Sequence, residues 1–365
     1  MHVAVVGAGV VGISLARSLL DEGAGVTIVE AVGPGAGTSS RGAGLVSEGA
    51  WHPTSLALVR RSLDLLDAMG RLADARGSPF RFHRVGSTTL VPGSLADAAR
   101  ALARKQAAWG ARVREVAPAD VPALPRHAGI DASGVAAAFH YEDDGWALPR
   151  LYCEALATEC RALGAIWERA AARLVVERDG GATLHADGER VRADVVVLAA
   201  GVHTRAILQA AGLDAPLQAY RTQAASVAHP RAHEVPILHD AVQGYYQRPG
   251  QPGHLLAGDG TTTAPEDVQR WRAEADDAFV AASLARVRRR FPFLADARPG
   301  DAHAGLDAAT PDRLMLAGPF PGVDRLWLAV GGNGHGFMRA PALGESLAAL
   351  LVGKTPRVDV GAYAP

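Results

Sequence analysis

Near the start of the chain, Gly7-Ala8-Gly9-Val10-Val11-Gly12 carries glycines at the spacing a dinucleotide requires. The first lets the chain turn, the second lets backbone approach a pyrophosphate, and the third lets a helix pack on a strand. Val3 to Val6 before it reads as an apolar strand, Val10 to Leu20 as a helix, and Gly25 to Glu30 as a second strand ending in an acid. Glu30 stands where a carboxylate accepts hydrogen bonds from an adenosine ribose. The helix N-terminus adds partial positive charge for the phosphates.

Two later stretches run from strand into glycine turn, Val195 to Gly201 (VVVLAAG) and Leu326 to Gly336 (LWLAVGGNGHG). A nicotinamide dehydrogenase uses one such turn, whereas a flavin dinucleotide touches several along its length, so the expected cofactor is FAD. Backbone N–H groups of the last turn are expected to face the flavin pyrimidine edge, where negative charge collects on reduction. The segment Gly33 to Gly49 (GPGAGTSSRGAGLVSEG) is too rich in glycine and serine for regular structure and should be a loop in close contact with a ligand.

The elements that must position these turns alternate in kind. Helices are expected over Ser55 to Ala73, Leu95 to Trp109, Pro149 to Leu163, Asp267 to Arg290 and Pro341 to Leu351. Strand patterns cover Phe80 to Val91, Gly134 to His140, a meander from Ala171 to Val191 turning at Asp179-Gly180-Gly181, the buried run Asp194 to Ala199, Ser226 to Leu256, and two short runs after Leu314. Parallel units at both ends with antiparallel blocks between them imply an α/β fold, α+β overall. A discontinuous Rossmann-like FAD-binding domain takes residues 1–79, 141–215 and 298–365; a substrate domain with a mainly antiparallel sheet takes 80–140 and 216–297.

At 365 residues the chain suits two domains or one large composite. With 37 basic and 38 acidic residues the net charge is -1, so no global field draws it to nucleic acid or anionic lipid. No apolar run reaches spanning length, and Val3 to Leu20 lacks a basic flank, so a soluble cytoplasmic protein with no transmembrane segment is expected. Cys153 and Cys160, seven residues apart in one helix, read as apolar fillers, and nothing has metal-ligand spacing. Arg286, Arg288, Arg289 and Arg290 read as a solvated face at a helix end.

Together these motifs resemble the D-amino-acid oxidase family of FAD-dependent amine oxidoreductases, particularly its glycine oxidase, sarcosine oxidase β-subunit-like and D-amino-acid dehydrogenase branches. The resemblance covers essentially the whole chain, through GAGVVG with Glu30, TSSRGAGLVSEGA, VVVLAAG, TPDRLMLAGPFPGV and GNGHGFMRAPALGESLAALL. It implies an enzyme of EC 1.4 or 1.5 type that oxidises a C–N bond of a small amine or amino acid (D-amino acid, imino acid or N-alkyl amino acid type). Hydride passes to flavin N5 and an imine is released to hydrolyse. The acceptor is O2 or a quinone or other electron carrier. FAD is non-covalent, since no cysteine or histidine stands at the family's linking position near Gly305. A second reading is a flavoprotein subunit of a hetero-oligomeric amine or opine dehydrogenase, active only with a partner chain; homo- and hetero-oligomers both stay open.

The resemblance places Gly7, Gly9, Val11 and Gly12 at the phosphates and Ser39, Ser40, Arg41, Gly44 and Leu45 along the pyrophosphate and flavin. It places Leu174, Ala200, Gly201 and Gly305 beside the dinucleotide, and Gly332, Asn333, Gly334, His335, Gly336, Phe337 and Met338 around the ring. Thr310-Pro311-Asp312 would help close the site, and Tyr246, in YYQRP, faces substrate. His335 lies near the flavin, with His52 and His303 as further candidates. One departure stands out: where relatives have Gly-Leu-Arg, the arginine gripping a substrate carboxylate, this chain has Gly305-Leu306-Asp307. Either Arg221 or Arg339 supplies the clamp, or the substrate carries a cationic or neutral group there, or Asp307 faces solvent. Met338 replaces a carboxylate-binding lysine of sarcosine oxidase relatives, and Lys105 and Lys354 are the only lysines. No catalytic base is assigned, because the protein's task is orientation and electrostatics.

Overall fold

Four apolar residues in succession, Val3-Ala4-Val5-Val6, suit a strand covered on both faces, and in the computed structural model, which describes residues 1–263 and 267–365, all four are buried. Strand His2–Val6 lies inside a six-stranded sheet ordered Leu316–Pro319, Leu326–Val330, Val195–Leu198, His2–Val6, Gly25–Val29, Ile166–Glu168. Neighbours run parallel except the first pair. Helices Val10–Asp21 and Gly336–Leu351 cross closely on one face, burying Ile13, Leu15, Leu343 and Leu347. Gly344 permits that approach, since a Cβ there would lie 2.6 Å from the Ser14 carbonyl carbon. The meander Ala172–Val176, Ala182–Ala186, Glu189–Val191 covers the other face, with Leu174 and Leu184 in one core with Ala4, Val6 and Val196.

The second large sheet has eight strands, ordered Arg298–Ala309, Gln218–Ala228, His254–Gly258, Tyr245–Pro249, Ile237–Asp240, Ser87–Val91, Ala137–Tyr141, Val113–Val116. Only Ile237–Asp240 and Ser87–Val91 pair in parallel. Helix Asp277–Arg290 packs Leu284 and Val287 into a core with Val227, Leu238 and Leu255. A small sheet of Leu45–Val46, Gly145–Ala147 and Phe82–Arg84 joins the two parts. No helix among the described residues is long and apolar enough to cross a membrane.

Four expectations need correction. Residues 298–309 pair along Gln218–Ala228, so they belong to the eight-stranded sheet and not with the nucleotide-binding part. The helix expected from Asp267 begins at Asp277, because Arg221 draws the Arg272 and Glu274 carbonyls and the Asp276 carboxylate out of helical pairing. The closing helix begins at Gly336 and carries Pro341 inside it; only one N–H is lost there. Arg290 leaves the solvated face, since its side chain is 2% exposed and pairs at 2.7 Å with the fully buried Asp240.

Candidate active site

The first glycine turn is shaped for close backbone approach. Gly7 has φ +101°, and a Cβ there would lie 2.6 Å from the Ala199 carbonyl oxygen, so the first turn and the VVVLAAG turn abut. A Cβ on Gly12 would lie 2.0 Å from the Gly7 carbonyl oxygen, and one on Gly9 would meet Ser39 Oγ at 3.2 Å. Helix Val10–Asp21 has no side-chain cap at Gly9, and its first closed bond runs from Ile13 N to the Gly9 carbonyl. Val10 N donates to Ser39 Oγ at 3.1 Å, and among the described residues nothing accepts from the N–H groups of Val11 and Gly12. An open, positive helix end of this kind fits a diphosphate. Glu30 is fixed by the turn itself, accepting from Ala8 N at 2.8 Å and Val32 N at 2.9 Å.

The loop after the second strand reaches the eight-stranded sheet. Thr38 Oγ1 donates to the Leu306 carbonyl, and Arg41 Nη1 donates to the Ala304 carbonyl at 2.7 Å. Gly305 makes room for Arg41, whose Cβ would lie 3.1 Å from a Cβ at that position. Trp271 lies over the Arg41 guanidinium at 5.1 Å. Ser40 Oγ donates back to the Gly37 carbonyl. Gly44, with φ +71°, sits where a Cβ would lie 1.9 Å from the Ala147 carbonyl oxygen, just before Leu45 enters the small sheet. Leu174 is a core side chain of the meander, while Gly201 opens a short 3-10 turn after Ala200.

The last glycine turn is braced from two sides. Asn333, at φ +53°, accepts from Thr310 N through Oδ1 at 2.9 Å, and its Nδ2 donates to Thr310 Oγ1 at 3.2 Å. Asp307 accepts from Gly334 N at 2.7 Å, Ala308 N at 2.8 Å and the Tyr220 hydroxyl at 3.1 Å. Asp307 therefore does not face solvent freely: its carboxylate holds the 331–336 turn against the sheet. Burial raises its carboxyl pKa, against the hydrogen bonds it accepts.

One face of the eight-stranded sheet looks toward this turn. Tyr220 pairs with Asp307, and Tyr246 stands between His239 and Gly258. Gly258 leaves space for the tyrosine ring, since a Cβ there would lie 2.3 Å from its hydroxyl. The His239 and Tyr246 rings are 6.5 Å apart. From the nucleotide side comes His335, whose ring meets Trp51 edge-on at 4.8 Å, whereas Phe337 and Met338 lie in the core of the nucleotide-binding part, Phe337 edge-on to Tyr152 at 5.5 Å. Burial lowers both His239 and His335 to about 4, helped at His335 by the Arg339 charge, so both imidazoles are neutral near pH 7. Burial likewise raises Tyr246 to about 12.

Of the two arginines considered as a clamp, Arg221 is removed by strand alternation: it points away from Tyr220, donates to the Arg272 and Glu274 carbonyls, and pairs with Asp276 at 3.4 Å. Arg339 remains, 2% exposed, with Nε and Nη1 lacking acceptors and its guanidinium 5.9 Å over Trp51. His52 caps helix Pro53–Ala75 by accepting from Thr54 N, and His303 bonds the Arg41 carbonyl at 3.1 Å. Sequence reasoning missed Tyr220, His239, Arg248 and Trp51. Arg248 was within reach of it, because it follows Tyr246 by two residues in a strand and so shares its face.

A βαβ turn built for a dinucleotide, two further glycine turns and a long sheet facing the last of them are the architecture of a flavin-dependent oxidoreductase. The family model for FAD dependent oxidoreductases matches residues 2–350, and the chain belongs to that family. It is 33% identical over 383 residues to a glycine oxidase of Pseudomonas aeruginosa, covering 100% of this chain and 98% of that one. It is 29% identical to a 4-methylaminobutanoate oxidase (formaldehyde-forming) of Paenarthrobacter nicotinovorans, over 98% of this chain and 44% of the longer relative. Among solved structures, the L-proline dehydrogenase of P. horikoshii superposes with a TM-score of 0.89 at 24% identity, over 100% of this chain and 96% of that chain, which shows the shared fold.

Proposed function

We propose that the protein oxidises the C–N bond of a small amine or amino acid, of D-amino acid, imino acid or N-alkyl amino acid type. The observation that carries this reading is the neutral, half-buried wall of Tyr246 and His239 facing His335 and the braced 331–336 turn. FAD, when bound non-covalently, supplies the acceptor for the hydride. Gly7, Gly9, Val11, Gly12 and Glu30 would hold its adenosine diphosphate, and residues 332–338 its ring. The chain's own work is to orient the amine against that turn and keep it unprotonated: a wall of two neutral imidazoles offers no counter-charge to an ammonium. Tyr246 positions the substrate with its hydroxyl. Relatives named for glycine and for an N-methylamino acid support the chemistry.

The test begins with the visible spectrum and release of FAD on denaturation. Anaerobic bleaching then follows against D-amino acids, N-alkyl glycines and imino acids, with reoxidation by air or by a quinone. Tyr246→Phe should raise KM or lower turnover while keeping flavin. A colourless protein that releases no FAD, or a yellow one bleached by none of these amines, would overturn the reading.

A further inference from the structure

Four arginines are buried among the described residues: Arg221, Arg248, Arg290 and Arg339. A guanidinium does not escape the cost of burial by losing its proton, so each calls for an anion. Arg290 has Asp240 at 2.7 Å, and Arg221 has Asp276 at 3.4 Å. Arg248 and Arg339 form no ion pair with any described residue. Arg248, 4% exposed, donates only to the Ala43 and Pro249 carbonyls and lies 4.4 Å over the Trp146 ring, whose other neighbour is the stacked His83. Burial without an anion lowers its pKa to about 10. Arg339, which neighbours the neutral Tyr363 hydroxyl, has two nitrogens, Nε and Nη1, with no acceptor, and it lies in the first turn of a helix whose N-terminus is already positive.

The two paired arginines lie away from the candidate site, and the two unpaired ones end a single row along it. Arg339 lies under Trp51, Trp51 meets His335, and His335 is within electrostatic reach of His239. His239 neighbours Tyr246, and Arg248 follows on that same sheet face. The acid along this row, Asp307, already accepts from Gly334, Ala308 and Tyr220. The cofactor's diphosphate belongs at the Gly7–Gly12 turn, which holds neither arginine.

We propose that the substrate is an amine carrying two anionic groups, carboxylates by chemical class, one received by Arg339 on the helix side and one by Arg248 on the sheet side. This rests on the C–N oxidation proposed above. The α carbon gives a hydride to the bound flavin, nitrogen loses a proton, C=N forms, and water then divides the imine into a carbonyl compound and an amine. The second carboxylate takes no part in that step and sets specificity.

Two ethers that lack an oxidisable C–N bond isolate the charge requirement: diglycolate, with two carboxylates, and methoxyacetate, with one. Titrated into the FAD-loaded protein and read by perturbation of the flavin visible band, diglycolate should bind about tenfold or more tightly, the scale of one charge-assisted hydrogen-bond pair. Arg248→Gln and Arg339→Gln should each erase the preference with flavin content retained, and Arg248→Lys, which keeps the charge, should keep part of it. Equal affinities, no perturbation by either ether, or variants that weaken both ethers alike would overturn the proposal. Bleaching by iminodiacetate and sarcosine separates the two readings. Equal bleaching by both defeats the dianion alone, whereas tight diglycolate binding with no bleaching by any amine defeats the C–N oxidation alone.

Discussion

The Tyr220 hydroxyl donates to Asp307 at 3.1 Å across paired strands, and the same carboxylate accepts from Gly334 N at 2.7 Å. This acid thus anchors the turn expected to meet the flavin. Asp307→Ala should weaken FAD binding by about 10- to 100-fold, since hydrogen bonds to a charged group are worth about 1.5–3 kcal/mol. Tyr220→Phe should weaken it less, because the backbone bond survives. Titration of apoprotein followed by flavin fluorescence quenching measures both; unchanged affinity in Asp307→Ala would show that Asn333 and Thr310 hold the turn alone.

Gly12 and Gly9 should differ sharply on mutation to alanine. A Cβ at Gly12 falls 2.0 Å from the Gly7 carbonyl oxygen, against backbone that has no room to shift, whereas one at Gly9 meets Ser39 Oγ at 3.2 Å. Gly12→Ala should therefore purify with little flavin or fail to fold, while Gly9→Ala folds and loses only part of its affinity. Flavin absorbance per mole of folded protein makes the comparison, and a fully loaded Gly12→Ala would contradict the turn geometry.

What could be read in the sequence follows from how local the cause is. The Gly7–Gly12 turn and its flanking strands are dictated by neighbours within thirty residues, and the structure shows those strands and the helix between them as expected. The task of Asp307 could not be seen, because its partners Tyr220 and Gly334 come from distant segments. The same holds for Arg221, whose strand turns it toward residues 272–276. Arg290 looked like one more charge on a solvated helix end until the eight-stranded sheet brought Asp240 against it.

That pair predicts an asymmetry in stability. Asp240 is fully buried and also accepts from Val242 N and Gln243 N, so Arg290→Ala leaves a buried carboxylate without its counter-ion. The expected loss is about 3–5 kcal/mol. The double change Arg290→Met with Asp240→Leu should recover much of it, because no charge is then left unpaired. Urea unfolding of the three proteins measures this, and a double variant no better than Arg290→Ala would mean that the Asp240 turn bonds dominate.

Asp144 should make stability fall as pH rises. It is fully buried, accepting from Glu48 N at 2.7 Å and Ser87 Oγ at 2.5 Å, beside Glu48, another buried acid. Burial raises its pKa to about 7 from an ordinary 3.8, with the hydrogen bonds opposing. The sign follows from proton counts: between those values the folded protein holds a proton that the unfolded chain has lost, so stability declines across that window and is flat above it. His127, His239 and His335 act oppositely, since burial lowers each to about 4 and the unfolded chain then binds more protons up to its ordinary 6.5. The isolating measurement is therefore the difference between Asp144→Asn and the parent, which cancels the histidines. From pH 4 to pH 8 it should move in favour of the variant by about 2 to 4 kcal/mol, the order expected at 1.36 kcal/mol per unit. Urea-unfolding curves that stay parallel over that range would show that Asp144 does not hold its proton in the folded state.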